Sequence, residues 1–292
     1  MYLKELLNKG QETVSVMYPE REAKEMVFAY LESLLGIRRH THIVEPEYVV
    51  PEDKVDTASA AFLRMASGEP LQYVTGMAWF YGRQFKVTPD VLIPRPETEM
   101  LVNGVLSSVA PAVRRITPSI LDLCTGSGCI AWTLALEMPG AQVTAVDISE
   151  GALEVAASQE FSQEMIRTGA LTPKFVRTDV LQDTLTIDDP DKYDIIVSNP
   201  PYVMDSEKVL MRTNVLDHEP HLALFVPDDD ALKFYKAIAR HASVLLKKDG
   251  FGIVEINEAL GSQTADVFNQ YGFRTEILKD LCDKDRFVKF MA

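Results

Sequence analysis

Ser119-Ile120-Leu121-Asp122-Leu123-Cys124-Thr125-Gly126-Ser127-Gly128-Cys129-Ile130-Ala131 reads as an apolar strand that ends near an acid, turns through two glycines and reopens as an apolar helix. Glycines at such a turn let main-chain N–H groups approach a ligand at the helix N-terminus, and a unit of this kind opens a parallel α/β sheet. Apolar runs go on alternating with helical stretches: AQVTAVD (141–147), KFVRTDV (174–180), YDIIVSN (193–199), GFGIVEI (250–256), FRTEIL (273–278) and RFVKFM (286–291). The early runs are continuously apolar, as strands covered by helices on both faces must be. With right-handed crossovers the count predicts a seven-stranded, doubly wound α/β sheet.

Upstream the pattern is helical. Ala23, Met26, Val27, Tyr30, Leu31, Leu34 and Leu35 recur at intervals of three and four, which predicts a helix over 20–35 ending at Gly36. A second helix is expected from Thr57 as its N-cap, stopped by Ser67-Gly68-Glu69-Pro70. From Tyr73 two aromatic and β-branched runs flank Gly82, the pattern of a β-hairpin. Pro94 and Pro96 forbid a helix before Pro96, where Glu97 and Glu99 suit the positive end of the next one. The expected organisation is a small all-α domain over 1–72, a bridging β-hairpin over 73–92 and the α/β domain over 93–292.

Composition narrows the function. The 292 residues are 47% apolar and 25% charged, an ordinary globular balance. Set against 43 Asp and Glu, 29 Lys and Arg give a net charge of −14, which repels a phosphate backbone, so no direct nucleic-acid partner is expected. The acidity divides as 12 acidic against 9 basic residues over 1–85 and 31 against 20 over 86–292. Cys124, Cys129 and Cys282 are too few for a disulfide framework, and no spacing matches a zinc site. His218 and His221 lack a third ligand, and Asp228-Asp229-Asp230 reads as the cap of a following helix, so no metal is expected. The N-terminus lacks an apolar signal core and no run is long enough to span a membrane, so the expectation is a cytoplasmic protein with no membrane partner.

Gly126-Ser127-Gly128-Cys129-Ile130-Ala131 fits a dinucleotide fingerprint, with Asp147 at the distance expected of a ribose ligand. Asp122 argues for a different ligand: a carboxylate just before the loop repels a pyrophosphate and welcomes an ammonium or sulfonium. S-adenosylmethionine meets that condition. In this reading Asp147 accepts from both ribose hydroxyls, while Asp179 and Val180 flank the adenine. All lie at carboxyl ends of successive strands, where open α/β sheets bind ligands.

The run YDIIVS ends at Asn199-Pro200-Pro201-Tyr202. Two prolines fix their own φ angles and supply no N–H, so the Asn199 side chain and the Pro200 carbonyl can present two acceptors to one planar NH2 group. An amide or aromatic amine is a poor nucleophile because its lone pair is delocalised. Holding both hydrogens while Tyr202 stacks on the flat group directs that lone pair at a methyl donor, and positioning of this kind is worth up to roughly 7–11 kcal/mol.

With these residues in place, the chain resembles the class I S-adenosylmethionine-dependent methyltransferases, and more narrowly the HemK/PrmC family, which methylates a glutamine amide in peptide chain release factors. The resemblance rests on Gly68 to Gly76, Phe80-Tyr81-Gly82, Leu92 to Glu99, Asp122 to Ala131, Asn199 to Tyr202 and Glu219 to Leu224. It implies a Rossmann-like catalytic domain, an N-terminal helical domain that engages the release factor, and S-adenosyl-L-homocysteine as product. It also implies that Cys124, Thr125, Gly126, Ser127, Gly128, Asp147, Val180 and Asn199 line the methyl-donor site, with Asp179 beside them. The substrate glutamine of a Gly-Gly-Gln loop would meet Asn199, Pro200, Pro201 and Tyr202, with Phe80, Arg95 and Glu97 shaping the entrance. The expected assembly is a monomer.

Four positions depart from the family pattern. Cys124 replaces a common Gly, which is tolerable if its φ stays negative; Val180 replaces a frequent aromatic; after Ala223-Leu224-Phe225 the chain reads Val226-Pro227-Asp228-Asp229-Asp230 where a Gly usually follows; and Asn257 stands where Gly is usual. Three other readings compete. An exocyclic-amine methyltransferase of nucleic acids suits the Asn-Pro-Pro-Tyr chemistry but not the charge, a donor-binding adaptor would not need an intact tetrapeptide, and a dehydrogenase would not place Asp122 before the loop.

Overall fold

The computed structural model describes residues 1–109, 117–187 and 193–292. The chain divides into two compact units, one of Met1–Met77 with Met211–His218 and the other of Ala78–Leu210 with Glu219–Ala292.

The first unit is helical, with α1 (Leu3–Val14), α2 (Glu20–Leu35), α3 (Thr41–Val44), α4 (Glu52–Ala66) and α5 (Leu71–Thr75). Leu6, Val27, Leu31, Phe62 and Met65 form its core. Gly10 lets α1 approach closely: a Cβ there would lie 2.7 Å from the Phe62 ring and 2.8 Å from Val27 Cγ1. The predicted end of α2 is found, with Gly36 in the left-handed conformation that closes helices. α4 begins five residues before the expected Thr57 cap. Pro51 precedes its first turn, Glu52 and Asp53 complement its positive end, and Thr57 instead bonds back to the Asp53 carbonyl from inside the helix. The strand expected from Tyr73 also fails at its start, because Pro70 opens the single turn of α5 and Gly76 ends it.

The hairpin that opens the second unit is β1 (Met77–Phe80, its first residue the last of the helical stretch) and β2 (Arg83–Lys86), joined through Tyr81 and Gly82, both with positive φ as a two-residue hairpin turn demands. α6 (Thr98–Ser108) follows the prolines. Next come β3 (Ser119–Leu123), α7 (Cys129–Glu137), β4 (Gln142–Asp147), α8 (Glu150–Ala157), α9 (Ser162–Thr168), β5 (Lys174–Arg177) and β6 (Tyr193–Ser198). After the short β7 (Val203–Met204), α10 (Thr213–His218) belongs to the helical unit. β8 (Phe225–Val226), α11 (Lys233–Leu245), β9 (Leu246–Glu255), α12 (Gly261–Gln270), β10 (Arg274–Lys279) and β11 (Asp285–Met291) complete the chain.

The main sheet has seven strands in the order β10-β11-β9-β6-β3-β4-β5, parallel except for β11. Successive strand residues alternate between two cores. Ile120, Ile195, Val197, Ile253 and Phe287 pack with α6 and α7. Leu121, Ile196, Val254, Val288 and Phe290 pack with α11 and α12. That alternation is why the strands are apolar throughout. Strand order runs outward one way from β3 through β4 to β5 and the other way from β6 to β9, so the switch point falls between β3 and β6, where such sheets open a ligand crevice.

Candidate active site

The crevice at that switch point is a cavity of ≈ 320 Å³ within the second unit. That is the size of a small-ligand site. Its wall includes Arg95, Cys124, Thr125, Gly126, Ser127, Asp147, Asp179, Val180, Asn199 and Pro201 from the sequence-predicted set. Asp122, Gly128, Glu97, Pro200 and Tyr202 are not among the lining residues.

The loop after β3 is built from unusual backbone. Cys124 has φ +60°, Gly126 +55° and Gly128 +77°. The condition for tolerating Cys124 in place of Gly, a negative φ, is not met: the chain reverses between Leu123 and the helix, and Cys124 holds a left-handed conformation that costs a non-glycine residue about 1–2 kcal/mol. Thr125 N donates to the Val146 carbonyl at 3.0 Å, and Gly126 N to Asp147 Oδ2 at 2.9 Å. Asp147 Oδ1 accepts from Ser149 N at 3.0 Å. Each Asp147 oxygen keeps a second lone pair. Burial raises its pKa, with the Ser149, Gly126 and Ile148 amides pulling it back.

Asp122 is fully buried behind this loop. Its Oδ2 accepts from Thr125 Oγ1 at 2.6 Å, while Oδ1 is buried with no hydrogen-bond partner among the described residues. Burial pushes its pKa up to about 7; the Thr125 hydroxyl lowers it, the Asp147 charge raises it, and the Ala131 amide, outside hydrogen-bonding geometry, lowers it weakly. Asp179 accepts from Leu181 N at 2.9 Å, and the Val180 carbonyl is held by His241 Nε2 at 2.8 Å. An orphaned carboxyl oxygen behind a glycine loop, an acid at the next strand end and the apolar Ile130, Ile148 and Val180 fit a cationic nucleoside such as S-adenosylmethionine. Among the described residues no group of three metal-ligating side chains converges.

Behind Asn199 and Thr98, which line the cavity, lies a polar network. Asn199 Nδ2 donates to Thr98 Oγ1 at 3.1 Å, and Thr98 Oγ1 donates to Glu255 Oε2 at 2.7 Å. Tyr202 OH donates to Glu255 Oε1 at 2.9 Å, and Tyr235 OH to the Glu255 carbonyl at 3.1 Å. Burial raises the Glu255 pKa, with the two hydroxyls and Arg286 lowering it and Glu97 raising it. Arg95 pairs with the buried Glu219 at 2.6 Å, and Glu219 also accepts from Ile93 N at 3.2 Å, which ties the two segments together. Asn257 Nδ2 donates to the Tyr202 carbonyl at 3.3 Å and to Glu207 at 2.9 Å, so this departure from the family pattern braces the tetrapeptide.

Reasoning from the sequence assigned no role to Thr98, Glu255, Tyr235 or Asn257. The available signal was Glu255, a lone acid inside the apolar run GFGIVEI, where an unpaired charge is too costly to leave buried. His218 and His221 fall in different units. Asp228, Asp229 and Asp230 form their own short turn before Leu232 and α11.

A doubly wound seven-stranded sheet, a glycine loop with acids at successive strand ends and an Asn-Pro-Pro-Tyr turn at the same crevice together define a class I S-adenosylmethionine-dependent methyltransferase. Family models match at residues 5–76, as the PrmC N-terminal domain, and at 99–221, as the methyltransferase small domain. A release factor glutamine methyltransferase of Flavobacterium psychrophilum is 35% identical over 99% of this chain and 99% of its own. Those of Bacteroides thetaiotaomicron, 38% identical over 95% and 96%, and Bacillus subtilis, 35% over 92% and 90%, are also similar. The chain belongs to the HemK/PrmC family of release factor glutamine methyltransferases.

Proposed function

We infer that this protein transfers a methyl group from S-adenosylmethionine to the side-chain amide nitrogen of the glutamine in the Gly-Gly-Gln motif of peptide chain release factors, and so acts on translation termination. The observation that carries the reading is Asn199. It lines the cavity at the switch point, its Nδ2 is taken by Thr98, and among the described residues its Oδ1 has no partner.

When bound, S-adenosylmethionine supplies an electrophilic methyl on a cationic sulfur. Thr125 to Gly128 and Asp147 hold this donor, Asp179 and Val180 flank its base, and the Asp122 carboxylate balances its charge from behind the loop. Asn199 Oδ1 and the Pro200 carbonyl accept the two amide hydrogens of the substrate, which turns the nitrogen lone pair toward the methyl. Tyr202 and Pro201 confine the plane of the amide. Transfer would exchange the sulfur–methyl bond for the N–C bond, leaving S-adenosylhomocysteine, and one N–H proton would then pass to solvent, so no general base acts beforehand. Arg95 and Glu97 frame the approach, and the helical unit engages the body of the release factor. Among the described residues no helix is long and apolar enough to cross a membrane, and a cytoplasmic site of action fits a substrate of the translation machinery.

The test is mass spectrometry of a release factor incubated with the protein and S-adenosylmethionine. A gain of about 14 Da, CH3 in place of H, on the Gly-Gly-Gln glutamine is expected, lost with Asn199→Ala, whose rate should fall at least about 10²-fold. Methyl transfer to RNA or DNA and none to release factor would overturn the reading.

A further inference from the structure

The hydrogen bonds behind Asn199 run in one direction. Glu255 is 1% exposed, and in its ionised form it can only accept, so the Thr98 and Tyr202 hydroxyls then both give it their protons. With its proton committed, Thr98 Oγ1 can only accept from Asn199, which must show it Nδ2. An amide turned end for end has almost the same shape, so packing alone does not choose between its oxygen and its nitrogen. The choice is made by a carboxylate on β9 acting through a hydroxyl on α6, residues 157 positions apart. Thr98 is itself 2% exposed, and the Tyr235 hydroxyl pins the Glu255 main chain.

We propose that Thr98 and Glu255 are positioning residues for methyl transfer: they hold the Asn199 amide with Oδ1 toward the cavity, so that the site admits a group bringing an N–H donor and refuses one bringing only acceptors. The site thereby distinguishes glutamine from glutamate at the methylated position. This rests on the reading of Asn199 given above. The selection follows from the pairing rule alone, since a carboxylate facing Asn199 Oδ1 sets acceptor against acceptor, whereas an amide donates to it.

The experiment compares wild type, Asn199→Ala, Thr98→Val and Thr98→Ser as full-length proteins, measuring kcat, the KM for S-adenosylmethionine and inhibition by a release factor carrying glutamate in place of the glutamine. Thr98→Val keeps the shape and removes the relay. Its kcat should fall about 10²-fold, as expected for a misdirected reacting group. Its KM for the methyl donor should stay within about twofold of wild type, because the loop and Asp147 are untouched. Wild type should bind the glutamate factor much more weakly than the glutamine factor, and Thr98→Val should lose most of that preference because Asn199 is free to turn. Thr98→Ser, which restores the hydroxyl, should recover kcat to within a few-fold of wild type. Wild-type kcat in Thr98→Val, equal loss in Thr98→Ser, or loss of donor binding in Thr98→Val would each overturn the positioning role while Asn199→Ala remains inactive. Full activity in Asn199→Ala would instead overturn the reading of Asn199, and the relay with it.

Discussion

The two walls of the cavity are made of different material. The donor wall is main chain: three residues with positive φ, Cys124, Gly126 and Gly128, and amides of Gly126 and Ser149 anchored on Asp147, all within Asp122 to Ser149. The acceptor wall is side chain: Asn199 and Thr98 line it, and Glu255, Tyr202, Tyr235 and Asn257 back them, drawn from four separated stretches of sequence and satisfied chiefly by one another. Local conformation builds the first. A buried polar network, which is worth its full strength only when every member is paired, builds the second.

If the walls are separable, mutations should divide their effects. The largest is Asn199→Ala, where the rate falls by at least about 10²-fold while donor affinity, measured by calorimetry, changes far less. Gly128→Ala should do the converse. A Cβ there would lie 3.0 Å from Ala156 Cβ and 3.1 Å from Trp132 Cδ1, at φ +77°, so strain and overpacking combine to roughly 2–5 kcal/mol, read as a lower Tm and weaker donor binding. Gly126→Ala meets nothing within 4 Å and bears only the φ penalty, about 1–2 kcal/mol. Equal damage from both glycine variants would mean that space, which differs between them, is irrelevant to the donor wall.

Asp122 sharpens the comparison through pH. Its pKa rises from 3.8 to about 7 because burial disfavours the charge. For a carboxyl raised on folding, the penalty is absent below the unfolded value and grows as pH rises from about 4 through about 7, so this group destabilises the empty protein on the alkaline side. A cationic donor relieves that penalty by pulling the pKa down. Donor binding should therefore release protons near pH 7 and tighten by up to about tenfold between pH 5 and 8, whereas S-adenosylhomocysteine, lacking the sulfonium, should show a smaller change. Calorimetry in buffers of different ionisation enthalpy measures the protons directly. An identical release by both ligands would remove Asp122 from the account of the sulfonium.

The same contrast explains what the sequence discloses. The strand-loop-helix of 119–131, the acids at strand ends and the seven-strand count are legible because each is a pattern of neighbours, and the parallel order follows from continuous apolar runs. The early start of α4 and the turn of α5 were missed for the same local reason: Pro51 and Pro70 outrank the signals at Thr57 and Tyr73, because a proline preset for a helix opening decides where one begins. The sequence left the φ of Cys124 open because it is dictated by the reversal of the loop rather than by the residue's own preference. Thr98 carried no local pattern, and Glu255 only that of a lone acid in an apolar run, which names no partner. Their role exists only because β9 lies beside β6 and α6 packs on β9, which no spacing of residues records.

The smallest effect on rate comes from the edge of the acceptor wall. Tyr202→Phe keeps the ring and its packing but leaves Glu255 Oε1 without the hydroxyl that donates to it, while Oε2 keeps Thr98. Stability should fall by about 1–3 kcal/mol, the cost of an unpaired buried acceptor. At high pH the rate should drop only a few-fold, since Thr98 still directs Asn199. The acid side is where the variant tells most. Thr98, Tyr202 and Arg286 favour the Glu255 carboxylate, and Glu97 and burial oppose it. Losing one hydroxyl raises its pKa further, and the protonated form, now able to donate, no longer fixes the direction of the Thr98 proton. The loss of kcat as pH falls should therefore begin at a higher pH in Tyr202→Phe than in wild type. An unshifted acid limb would mean that the charge on Glu255 does not govern the orientation of Asn199, and would leave the network a structural brace instead of a switch on the direction of its hydrogen bonds.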